Sequence, residues 1–261
     1  METGQTPTGS QTVERALAIV EFIARSSNPV SIASFSRALG LHRNTAYRLA
    51  KMLVSKQYLD VENGLYTIGP MLIVLGQSKS RNSLLVRCCS PYLQNIAENV
   101  QEITNLGILR GDEVFYLGRW EPEQHPFGVY INVGQRAPLY ASGLGKVLLA
   151  SLSFEERQSY YGRQALKRLT AHTITDPEQL EVVVEQVRRQ GYAEDMEELS
   201  LSTACVAVPI CIGDVFVSAI SVAFPVVRFS EERRNHLIEE LTHAAEKIKQ
   251  EMASQTVNIY D

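Results

Sequence analysis

The sequence predicts an α+β chain: an N-terminal winged helix-turn-helix, a linker helix and a larger C-terminal α/β domain. Three observations predict it. Three short helical periodicities and an Asn-Gly hairpin fall in close succession near the N-terminus. The charge changes sign near residue 80, from +3 over residues 1–80 to −7 over the remainder. From residue 90 onward, helix and strand patterns mix and end in a long amphipathic helix. The expected boundaries are a disordered tail over 1–11, the head over 12–69, the linker helix over 70–89, the large domain over 90–254 and a tail over 255–261.

Each element has a local reason. In TVERALAIVEFIARSS, Val13, Leu17, Val20 and Ile23/Ala24 form one helical stripe, with Thr12 as cap and Asn28-Pro29 as terminator. SIASFSRALG offers Ser31 as cap, Ile32, Phe35 and Leu39 at helical spacing, and Gly40 as a left-handed stop. The third helix, GLHRNTAYRLAKML extended to about Lys56, sets Thr45, Ala46, Leu49, Met52 and Leu53 on one arc. Arg43, Asn44, Tyr47, Arg48, Lys51 and Ser55 share the opposite face. Asn63-Gly64 then joins two short strands, which supplies the wing.

Pro70 suits the first turn of the linker helix. Beyond it, two strands flank Arg110-Gly111-Asp112, and TDPEQLEVVVEQVRRQGY carries a capping box from Thr175 to Glu178, Pro177 in its first turn and Gly191 at its stop. CVAVPICIGDVFVSAISVAF is apolar enough to be the buried centre of a sheet, turning at Gly213-Asp214, and Ser230 caps the last helix.

At 261 residues and 45% apolar, the chain can bury a sizeable core. No apolar run is long enough for a membrane span, and METGQTPTGSQ lacks the basic and apolar regions of a signal peptide, so a cytoplasmic protein is expected. Cys88, Cys89, Cys205 and Cys211 follow neither a disulfide framework nor zinc spacing, and His42, His125, His172, His236 and His243 fall on no metal or triad pattern. Neither a metal nor a cofactor is expected.

Two stretches carry candidate chemistry. A cationic helix face is commonly just solvated, but the third helix sits behind a Gly40 turn and ahead of a wing, the arrangement that holds a helix in a major groove. Arg43, Asn44, Thr45 and Tyr47 lie toward its N-terminus where base edges come within reach. Arg48 and Lys51 follow for phosphate or base, and Ser31 is a candidate phosphate donor. In ASGLGK, Gly143 and Gly145 precede a helix running from Lys146, whose free N–H groups suit a carboxylate; the competing reading is a plain turn.

QTVERALAIVEFI, GLHRNTAYRLAKML, GLYTIGPMLIVLG, PLYASGLGKVLLA, RRQGYAEDMEE, CVAVPI and VSAISVAFP occur in an order and spacing that resemble the IclR-type bacterial transcriptional regulators, from about Gln11 to about Met252. The resemblance implies a winged head reading a palindromic DNA operator, a GAF-like domain that binds a small organic-acid effector, and a homodimer or dimer of dimers. Gly143, Leu144, Asp195, Thr203, Cys205, Ser221 and Val222 align with effector-contacting positions. Asn44 stands where the family commonly has Ser, Ser202 where it often has Gly, and Ala223 where a second serine often follows. A rival reading makes Cys205 an enzyme nucleophile. It is disfavoured because no partner base is identifiable and apolar strands raise a thiol pKa. A third reading is a dimerisation scaffold without ligand.

Overall fold

The computed structural model describes residues 10–26, 28–76, 80–123, 131–212 and 215–257. It divides into two compact units, Met1–Ser83 and Leu84–Asp261.

The first unit is built from α1 (Ser10–Ala24), β1 (Val30–Ser31), α2 (Ile32–Ala38), α3 (Arg43–Ser55), β2 (Leu59–Glu62), β3 (Leu65–Ile68) and α4 (Pro70–Gly76). Gly40 (φ +62°) makes the left-handed turn between α2 and α3, and Asn63 (φ +52°) with Gly64 (φ +77°) closes the β2–β3 wing. A third strand, unexpected from sequence because it is two residues long, pairs Val30 and Ser31 with Tyr66 and Leu65. The core joins Ile19, Ile23, Phe35, Ala46, Ala50, Leu59 and Tyr66, with Phe35 and Tyr66 edge to face at 5.7 Å.

Several sequence expectations fail here. Of the α1 stripe, Ile23 is buried and Val20 partly so, but Val13 and Leu17 are exposed and Ile19 takes the core position. Met52 on α3 is likewise exposed. Helix α1 begins at Ser10 rather than Thr12, and residues 1–9 of the expected tail lie outside the described residues. The single linker helix over 70–89 is instead α4 and the start of α5 (Arg81–Val100), with 77–79 outside the described residues. Helix α5 runs on through Pro91, so residues 89 and 90 mark no boundary.

The second unit continues with β4 (Ile103–Arg110), β5 (Glu113–Trp120), β6 (Arg136–Pro138), α6 (Gly143–Ala150), α7 (Phe154–Arg163), α8 (Pro177–Gln190), β7 (Ala193–Met196), β8 (Thr203–Ile212), β9 (Val215–Pro225) and α9 (Glu231–Val257). The strands form one antiparallel sheet ordered β6-β5-β4-β9-β8-β7. As the sequence predicts, the apolar pair β8 and β9 lies inside it; their turn at Gly213-Asp214 falls outside the described residues. Helices cover both faces, the GAF-like arrangement the resemblance implied. Because side chains alternate across a strand, Val206, Val208, Ile220, Val222 and Phe224 pack with α5 and α9, whereas Ala207 and Ala219 pack with α6, α7 and α8.

Capping differs in detail. Asp176, not Thr175, caps α8, accepting from Glu178 N and Gln179 N, while Pro177 and Gly191 act as expected. Ser230 accepts from Arg233 N at the start of α9, which continues to Val257 where a tail was expected from 255. The unit also buries Arg157, held by Glu181, Glu185 and the Leu152 carbonyl. No described helix is long and apolar enough to cross a membrane.

Candidate functional site

On the head, α3 presents Arg43, Asn44, Tyr47, Arg48 and Lys51 to solvent, and Thr45 is half-buried at its edge. No carboxylate lies on the helix, so this is a continuous cationic face. His42, assigned no role from sequence, caps the helix: its Nδ1 accepts from Asn44 N at 3.3 Å. Ser31 caps α2 by accepting from Ser34 N, which leaves its hydroxyl proton free to donate outward.

In the second unit a cavity of about 670 Å³ opens against the sheet. Ser221, Ala223 and Pro225 of β9 and Thr203 and Cys205 of β8 supply one wall, as alternate residues must. Asn105 of β4, Tyr116 of β5, Asp195 of β7 and Ser142 ahead of α6 add to it, and Leu199–Thr203, Val227 and Arg228 border it. Of the seven positions expected to meet an effector, Asp195, Thr203, Cys205 and Ser221 line this cavity. Val222 does not, because one residue from Ser221 it faces α5 and α9. Gly143 and Leu144 are also outside the lining.

The α6 start differs from its sequence reading. The helix begins at Gly143, not Lys146, so both glycines are inside its first turn. Ser142 caps it, its Oγ accepting from Gly145 N at 3.1 Å and its carbonyl from Lys146 N. Gly143 donates its N–H toward the Cys205 sulfur. A Cβ on Gly143 would lie 3.1 Å from that sulfur, so the missing side chain lets α6 and β8 approach closely. Little of the helix N-terminus is left for a carboxylate.

Asp195 is 3% exposed, pairs with Cys205 in the β7–β8 ladder and accepts from Glu198 N at 2.8 Å through Oδ1. Burial pushes its carboxyl up to about 7, against the opposing pull of Lys146. Burial likewise pushes the Cys205 thiol up to about 12, with Asp195 adding to the rise. A thiol so held is a weak nucleophile, which counts against the enzyme reading. Lys146 and Glu198 form a buried ion pair behind the cavity, and Glu198 Oε2 has no hydrogen-bond partner. Ser221 Oγ is also buried without an oxygen or nitrogen partner.

The β7–β8 loop accounts for one departure from the family. Ser202 lies at φ +64°, in the left-handed region that glycine adopts without strain, and its N–H donates to Glu197 Oε1 at 2.7 Å. Ala223, the other departure, faces the cavity directly. Sequence reading missed Asn105, Tyr116 and Arg228. A polar Asn105 inside the apolar run ITNLGILR was a usable signal; nothing local marked Arg228.

A winged-helix head joined to an α/β unit whose mostly apolar cavity carries a few convergent polar groups defines a DNA-binding regulator with an effector domain. Residues 12–62 match the IclR helix-turn-helix domain, and residues 79–250 match the bacterial transcriptional regulator IclR C-terminal domain. The chain belongs to the IclR family of bacterial transcriptional regulators. It is 32% identical over 226 residues to the HTH-type transcriptional regulator KdgR of Escherichia coli K12, covering 85% of this chain and 86% of that one. The HTH-type transcriptional repressor AllR of Salmonella paratyphi A is 32% identical over 229 residues, covering 86% and 84%. Among solved structures, an IclR homolog of Microbacterium hydrocarbonoxydans complexed with 4-hydroxybenzoate superposes with a TM-score of 0.76 at 25% identity, covering 93% of this chain and 99% of that one.

Proposed function

We propose that the protein is a repressor of a metabolic operon, released by a small organic acid bound in the second unit's cavity. The carrying observation is the conjunction of a carboxylate-free cationic face on α3 with a mostly apolar cavity that carries a few convergent polar groups in a separate unit. Arg43, Asn44, Tyr47, Arg48 and Lys51, with Thr45 and Ser31 at the margin, read and hold the operator. Asp195, Thr203, Cys205 and Ser221 meet the effector, and Gly143 acts by seating Cys205 against α6. A relative named as a repressor supports the direction of control, and one solved with a hydroxylated aromatic acid supports the effector class. Exposed Val13 and Leu17 on α1, and Ile73, Val74 and Leu75 on α4, support self-association through the head, as a palindromic operator requires. Effector binding shifts the operator-competent population only in so far as the effector binds the two arrangements with different affinity.

Arg43→Ala with Arg48→Ala tests the assignment. Two lost base or phosphate contacts weaken operator binding by more than about 30-fold in a mobility-shift assay. Thermal stabilisation by cavity ligands is unchanged in the same variant. Unaltered DNA affinity would show that α3 is not the reading helix.

A further inference from the structure

The cavity has two chemically different ends. At its buried end, Asp195, Ser221, Cys205 and Asn105 converge, and two carboxyl groups, Asp195 and Glu198, share the single cation Lys146. A ligand carboxylate placed there would lose its water without an unpaired cation to meet it, because Glu198 already holds Lys146, which is unfavourable. Ser221 Oγ, buried and in contact only with the weakly bonding Cys205 thiol, instead suits a hydroxyl.

The opposite end is cationic. Arg228 is the only Lys or Arg among the described residues that line the cavity. Its Nη1 donates to Glu102 Oε1 at 2.8 Å, and Arg233 Nη2 donates to the same oxygen at 2.8 Å. Two guanidinium groups on one carboxylate leave one positive charge over. The remaining Arg228 N–H groups have no protein acceptor among the described residues. Arg228 is 43% exposed at its side chain, so it is reachable from the cavity mouth. From Ser221 to Pro225 the wall extends four residues along β9, roughly 13 Å at strand rise. Of the seven positions assigned by resemblance, Thr203, which pairs with Pro225, is the one on this end of the wall, and none of the seven is cationic.

We infer that Arg228 binds the effector's carboxylate at the cavity mouth, and that the effector is an elongated hydroxy acid whose hydroxyl enters the buried end. This rests on the cavity being the effector site. It adds a specificity-determining residue and an orientation: acid outward, hydroxyl inward. A guanidinium receives a carboxylate with two parallel hydrogen bonds, so Arg228 can serve Glu102 and the effector together or exchange one for the other.

The test measures binding of straight-chain ω-hydroxy carboxylates of graded length to the full chain by calorimetry, each against the diol of equal length. The expected result is at least tenfold preference for the hydroxy acid among the longer members. Arg228→Gln removes that preference by weakening acid binding at least tenfold while diol binding changes much less, since Arg233 still holds Glu102, and Arg228→Lys, which keeps the charge but not the paired hydrogen bonds, retains part of it. Equal binding of acid and diol, or a preference that survives Arg228→Gln, overturns the inference while leaving the cavity as effector site, provided Ser221→Ala weakens both series. If neither series binds, the inference and the effector-site reading fall together.

Discussion

Replacing Asp195 by asparagine removes one ionisable group without changing shape, and Oδ1 remains to accept from Glu198 N. In the unfolded chain this carboxyl ionises near its ordinary value of 3.8, whereas in the fold it holds its proton to about 7. Between those values the folded state binds the proton more tightly, so stability falls as pH rises through the interval and levels off above about pH 7. At about 1.4 kcal/mol per pH unit, the whole interval corresponds to about 4 kcal/mol. The Asp195→Asn variant has no such proton to lose. Urea unfolding of the full chain at pH 5, 6, 7 and 8 reads the difference: between pH 5 and 7 the variant gains about 2 kcal/mol on the parent, with only a few tenths more, about 0.3 kcal/mol, by pH 8. Other titrating groups are common to both proteins and cancel. Parallel stability curves would refute the assignment of a buried, proton-holding Asp195.

Lys146→Met leaves Glu198 as a buried charge without its partner and costs about 3–5 kcal/mol, read as a lowered melting temperature. Lys146→Met with Glu198→Gln recovers most of that loss; a double variant no more stable than the single contradicts the pairing. Ser202→Gly relieves a left-handed backbone conformation at a position whose N–H bond is kept, and raises stability by about 0.5–1 kcal/mol in urea unfolding.

What could be read from sequence was whatever local chemistry decides. Gly40, Asn63-Gly64 and the polar face of α3 needed only periodicity and turn geometry, and the β8–β9 pair announced itself by apolar content. Tertiary packing decided the rest. Val13, Leu17 and Met52 have the spacing of core residues, yet the small head has too few elements to cover them. The choice of Asp176 over Thr175 as cap turns on one residue of backbone geometry. Apolar content placed β8 and β9 in the sheet but gave no phase to their alternation, so Val222 and Ser221 were equally eligible for the cavity. Lys146 and Glu198 are 52 residues apart, and Arg228 and Glu102 are 126 apart. No sequence window spans such pairs.

The alternation along β8 and β9 separates two kinds of inheritance. Residues such as Ser221 and Ala223 touch whatever occupies the cavity, while their immediate neighbours Val222 and Phe224 touch only α5 and α9. Substitution at one set can change the preferred effector and leave the helical packing as it was. A lineage of regulators can therefore be retuned to new effectors by single changes, keeping one scaffold throughout.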